Sequence, residues 1–174
     1  MNSRTETRTP TPASVEPEPR RVTLSWFEQM MAVEVGCRRQ LQAIREGRQD
    51  LYGYDGDEGW SLHIEGAAGE LAVAKALDRY WSGSVNTYRA GADVGQLQVR
   101  TRSQPNYDLL IRDRDDDDAV FVLVTGRVPS FAVRGWLLGR DGKRPEWRRE
   151  HGGRPPAYFV PQAHLRPITE LEDR

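Results

Sequence analysis

The chain has 174 residues and a mass of 19.8 kDa, with 29% charged residues and a formal net charge of −1. That length supports one domain with a substantial core, and the near-neutral balance gives no global attraction to a polyanion. The single cysteine, Cys37, excludes an internal disulfide and a thiolate metal cluster, and no apolar run approaches the roughly 20 residues needed to span a bilayer.

Residues 1–20 (MNSRTETRTPTPASVEPEPR) are built from Thr, Pro, Glu and Arg with almost no large apolar side chain. Such a segment cannot offset its own ordering entropy and reads as a disordered tail, leaving residues 21–174 as a single α+β domain. The segment has no apolar stretch of the signal-peptide kind, so the expectation is a cytoplasmic protein with no membrane association. A first helix is predicted from Ser25, which forms a capping box with Glu28, to about Arg45, where Gly47 stops it. Its expected core stripe is Met30, Val33, Cys37, Leu41 and Ile44. Residues 47–58 carry three glycines and several aspartates and read as a loop.

The second predicted helix, residues 59–81 (GWSLHIEGAAGELAVAKALDRYW), holds the most informative residue. Wound at 100° per residue, it sets Glu70 in the middle of an apolar face with Ala67, Val73, Ala74, Leu77 and Trp81 around it. An ionised carboxylate there costs several kcal/mol unless a cation, a metal or hydrogen-bond donors meet it. Two readings follow: a metal ligand, or a buried bidentate salt bridge to Arg100 or Arg102. His63, on the same face, reads either as a proton shuttle or as a core histidine bonded to a backbone carbonyl. No spacing links it with His151 and His164 as metal ligands.

Beyond Trp81 the apolar period falls to two. Strands are predicted at about residues 83–89, 96–102, 107–112, 119–125, 130–138 and 157–160, with hairpins joining the third to the fourth and the fourth to the fifth. Two helices followed by such strands imply an α+β fold with the helices packed on a mixed, mostly antiparallel sheet. In QLQVRTR, alternation puts Leu97, Val99 and Thr101 on one face and Gln98, Arg100 and Arg102 on the other. The latter face is the expected partner of Glu70. Asp93 precedes the strand between Gly91 and Gly95, where it reads as a turn residue or a ligand.

From Arg134 to Arg154 there are seven Lys or Arg against three Asp or Glu, with Trp136 and Trp147 interleaved, while Asp113 and Asp115 to Asp118 form an acidic run. The basic segment reads as a nucleic-acid contact through Lys143, Arg148 and Arg149, with Arg102 as a further phosphate contact, or as a solvated arginine-rich loop. The acidic run reads as a turn between strands.

Gly69-Glu70 on a helix, then Asp93, then Gln98-Val99-Arg100 within QVRTR on a strand, resemble the PD-(D/E)XK nuclease superfamily, in which EVKTR often stands at that strand. The resemblance covers about residues 59–112. Gly135-Trp136 and Phe159-Val160-Pro161 are also similar to segments of small bacteriophage-type proteins. The resemblance implies a PD-(D/E)XK-like core and metal-dependent phosphodiester hydrolysis of DNA, with RNA as another possible substrate, in a bacterial host cell. It assigns Glu70, Asp93 and Gln98 to Mg²⁺ or Mn²⁺, and Arg100, in the usual lysine's place, to transition-state charge. Gln98 and Arg100 depart from the family's Glu and Lys, and guanidinium cannot act as a general base. Two alternatives stand beside it: a catalytically inactive nuclease-fold module that binds nucleic acid or protein, and a phage structural or host-takeover protein.

Overall fold

The computed structural model describes residues 16–47, 56–85, 91–151 and 154–172, and among them the protein is α+β with three helices and two sheets. Helix α1 (Trp26–Arg45) begins as expected: the Ser25 hydroxyl accepts the Glu28 N–H, and the Glu28 carboxylate accepts the Ser25 N–H. Helix α2 (Gly56–Ala76) ends five residues earlier than the apolar pattern suggested. The cause is Asp78, in the left-handed region at φ 50°. The Arg79 N–H returns to the Ala74 carbonyl and the Asp78 N–H to the Lys75 carbonyl, which is a Schellman stop. Leu77 and Trp81 are nevertheless buried beyond it.

Strands β1 (Arg20–Thr23), β2 (Leu97–Arg102), β4 (Val120–Arg127) and β5 (Ser130–Leu138) form a mixed sheet in the order β1-β5-β4-β2. The β4–β5 hairpin is antiparallel as predicted, and β2 runs parallel to β4. A parallel neighbour needs a crossover, and here the crossover is β3 (Leu109–Arg112), which leaves the first sheet altogether. It pairs with β7 (Arg154–Val160), and β7 with β6 (Arg148–His151), in an antiparallel sheet of order β3-β7-β6. The predicted hairpin between residues 107–112 and 119–125 is therefore absent, although the acidic run does form the turn between them. The predicted strand at 83–89 is also absent over residues 83–85; residues 86–89 lie outside the described residues. Strands β1 and β6 were not anticipated, the first because Arg20 fell within the expected tail.

The larger sheet is covered on both faces. Leu97, Val99, Val122 and Val124 pack with α2, whereas Phe121, Leu123 and Leu137 pack with Leu109, Ile111 and Val160 of the smaller sheet. Residues 67–74 of α2 are buried without interruption, because the sheet lies on one side and α1 on the other. The expected stripe of α1 is not its buried side. Ala32, Gly36 and Gln40 face inward, while Met30, Leu41 and Ile44 are 51%, 57% and 57% exposed. Small size at Gly36 decides this: a Cβ there would stand 2.6 Å from the Cα of Ile64, so the helices approach backbone to backbone.

Gly69 performs the same service against the sheet, where an added Cβ would overlap the Thr101 side chain. Replacement Gly69→Ala is expected to destabilise the protein by about 1–3 kcal/mol through overpacking, with part of the loss recovered in the Gly69→Ala/Thr101→Ala double variant. Urea unfolding of the three variants checks this.

Candidate functional site

Glu70 is buried, 6% exposed, and both of its carboxylate oxygens accept hydrogen bonds. Arg39, on α1, donates from Nη1 to Oε1 at 2.6 Å and from Nη2 to Oε2 at 2.8 Å, and Trp81 Nε1 donates to Oε2 at 3.1 Å. The same guanidinium donates through Nε and Nη2 to the Ser84 carbonyl at 3.0 and 2.8 Å. One planar fork thus joins α1, α2 and the segment after α2. The salt-bridge reading of Glu70 is the arrangement found, with Arg39 in place of Arg100 or Arg102. Arg39 lies on the inward face of α1 beside Gly36 and Gln40. The row Ala32, Gly36, Gln40, free of large apolar side chains, is the signal that locates it.

Arg100 and Arg102 do not reach Glu70 because α2 packs on the other face of β2. Leu97 and Val99 belong to the cluster that holds α2, and Thr101 meets Gly69. Strand alternation sends Gln98, Arg100 and Arg102 toward the smaller sheet. Arg100 Nη2 donates to Asp115 at 3.0 Å, and its guanidinium lies 4.8 Å above the ring of Phe121. Arg102 lies 4.8 Å above the ring of Tyr107. The expectation that the Gln98–Arg100 face meets Glu70 is corrected by this packing.

Asp93 stands at the open edge of β2. Its N–H donates to the Leu97 carbonyl and its carboxylate accepts the Val99 N–H at 2.7 Å, so it satisfies an edge donor that no strand covers. Gly95, at φ 59°, makes the turn between them. Burial, and next the negative charge of Glu70, push the Asp93 carboxyl up to about 6 from 3.8, while the Val99 N–H, Arg100 and Arg39 pull the other way. Asp93 is therefore the one member of the predicted set that feels both Glu70 and Arg100.

The donors do not fit a divalent cation. Both oxygens of Glu70 are committed to Arg39, Gln98 lies on the opposite face of the sheet, and Asp93 is left as a single carboxylate. Among the described residues no group of three or more His, Cys, Asp or Glu could hold a metal ion.

Two of the four predicted nucleic-acid contacts, Lys143 and Arg148, meet the acidic run. Lys143 Nζ reaches the carbonyls of Asp113 and Asp115 at 3.1 and 2.5 Å and the Asp117 carboxylate at 2.6 Å. Arg148 pairs with Asp113 at 3.0 Å and Arg140 with Asp118. The Arg148 guanidinium holds the Asp113 carboxyl below its usual range. Arg149 is exposed, and its charge and that of Arg102 act on Asp108, whose carboxyl burial nevertheless raises. His164 packs its ring 5.0 Å from that of Trp147. His63 is half-buried on α2, and the side chain of His151 lies outside the described residues.

No family model, curated protein or solved structure matches this chain. Among the described residues no helix is long and apolar enough to cross a membrane.

Two outcomes follow from the site. Arg39→Ala leaves Glu70 buried without a cation and is expected to cost about 3–5 kcal/mol in chemical unfolding, whereas Arg39→Met combined with Glu70→Leu recovers most of that loss. Asp93 behaves oppositely. Because the folded state binds its proton more tightly, stability is highest below pH 3.8 as far as this group is concerned and falls as pH rises through about 6. Asp93→Asn is thus expected to stabilise the protein by about 1–3 kcal/mol at pH 7.5, with the gain gone near pH 4, as read from unfolding curves across that window.

Proposed function

We propose that this chain is a non-catalytic binding module whose partners are proteins, and that its buried carboxylate is structural. The observation that carries this reading is the enclosure of Glu70 by Arg39 and Trp81, which neutralise its charge and occupy both of its oxygens within the helical layer. Supporting it, Gln98 and Arg100, two of the three other residues of the nuclease-like motif, lie across the sheet from Glu70. Arg100 is engaged with Asp115. Two of the four cations that would hold a phosphate backbone, Lys143 and Arg148, are paired with aspartates of the chain, which weakens the case for nucleic acid as the partner. By contrast, α1 presents a large apolar face to solvent, the kind of surface that proteins recognise.

The resemblance to PD-(D/E)XK nucleases makes the opposite forecast in one experiment. Thermal unfolding is measured with EDTA, Mg²⁺ and Mn²⁺ on the wild type and on Asp93→Asn, followed by incubation with plasmid and single-stranded DNA. The binding-module reading expects the same Tm in all three conditions and intact DNA. A cation held at 100 times its Kd would add about 2.7 kcal/mol, or roughly 5–10 °C for a chain of this size. A shift of that order, lost in Asp93→Asn and accompanied by cleavage, would overturn it.

A further inference from the structure

The outward side of α1 carries large apolar side chains in water. Trp26 and Phe27 are 68% and 78% exposed, and Met30, Met31, Leu41 and Ile44 are between 50% and 57% exposed. At 100° per residue these six fall within an arc of about 140°, opposite the inward row of Ala32, Gly36 and Gln40. With aromatic side chains contributing up to ~250 Å² each, the stripe leaves on the order of 700 Å² in water, above the ~300–600 Å² of the largest patch on a typical monomer. It is close to the ~800 Å² that each partner gives to a standard interface.

We infer that this face is the contact of a symmetric homodimer in which α1 packs antiparallel against α1 of a second copy. The inference names the partner of the binding module proposed above. Three features of the helix select a second copy. First, the stripe is self-complementary about a two-fold axis near the level of Gly36: Trp26 meets Ile44 of the other copy, and Met30 meets Leu41, each pair sharing nearly the same angle on the helix. Second, the charges on that side are arranged the same way. Glu34 and Arg38 form an exposed pair at 2.7 Å within one helix, and the two-fold sets Glu34 of each copy beside Arg38 of the other, making a four-charge ring at the centre. A parallel pairing would set like charges together. Third, the area of a 20-residue helix face, about 30 Å long, matches what two copies need without any contribution from elsewhere.

Cys37, the sole cysteine, is half-buried on the same side one residue from the axis level, which supplies an unambiguous probe. In sedimentation equilibrium the full chain is expected to run at twice 19.8 kDa at micromolar concentration, and a short bismaleimide is expected to join two copies through Cys37. Leu41→Glu should raise the dimer Kd at least about 100-fold while leaving the helical circular dichroism unchanged. Glu34→Arg should weaken the dimer and Glu34→Arg/Arg38→Glu should restore it, a pattern that non-specific apolar association does not give. A monomer at all concentrations would overturn the inference, whether residues 1–15, residues 48–55 or another protein covers the stripe. So would a dimer insensitive to Leu41→Glu. The two readings fail separately: a monomer leaves the binding-module reading standing, whereas Mg²⁺-dependent cleavage of DNA overturns that reading and leaves the dimer.

Discussion

The ion pair between Arg39 and Glu70 fixes how the helical layer sits on the sheet. Two opposite charges this deeply buried lose several kcal/mol of hydration each, and only a well-aligned, fully hydrogen-bonded contact offsets that. The contact here meets the requirement with two parallel N–H···O bonds, an indole donor on one oxygen and a backbone carbonyl on the far side of the guanidinium. For Arg39 to reach Glu70, α1 must turn its side bearing Gly36 toward α2. That rotation carries Met30, Leu41 and Ile44 outward. The satisfied charge and the unsatisfied apolar stripe are two consequences of one helix orientation.

The sequence disclosed Glu70 because eight successive residues around it are small or apolar, so almost any winding of α2 buries it. Its partner was less legible. Periodicity arguments weigh side-chain bulk, and on α1 bulk lies on the outward side, whereas the inward side is marked only by small residues and two long polar ones. Alternation along QLQVRTR is legible in the sequence, but which face meets a helix is set by tertiary packing. Thr101 and Gly69 decide it through a contact between residues far apart in the chain. The β4–β5 hairpin and the start of α1 were legible since turn and cap chemistry are local. The transfer of β3 to another sheet was not, because its pairing with β7 depends on residues almost 50 positions away.

Charge along this chain is segregated in sequence and reunited in space. The acidic turn between β3 and β4 and the basic stretch from Arg140 to Arg148 attract opposite partners when each is read alone. Folded, Lys143, Arg148, Arg140 and Arg100 meet Asp117, Asp113, Asp118 and Asp115 in turn. Most of these pairs are exposed and individually contribute little, so their effect is to cancel the fields rather than to hold the fold. Part of the charge that each segment carries in isolation is thereby neutralised within the fold.

The route of the chain between the sheets has a kinetic meaning. Because β3 lies between β2 and β4 in sequence but belongs to the smaller sheet, neither sheet is a contiguous stretch of polypeptide. The larger sheet also takes β1 from more than 100 residues before its neighbour β5. Loop closure must therefore be completed over long distances before either sheet is rewarded, the condition under which small proteins fold slowly. On a ribosome, the smaller sheet cannot close until residues 154–160 have emerged. Until then Leu109 and Ile111, both fully buried in the finished protein, have no partner strand to cover them.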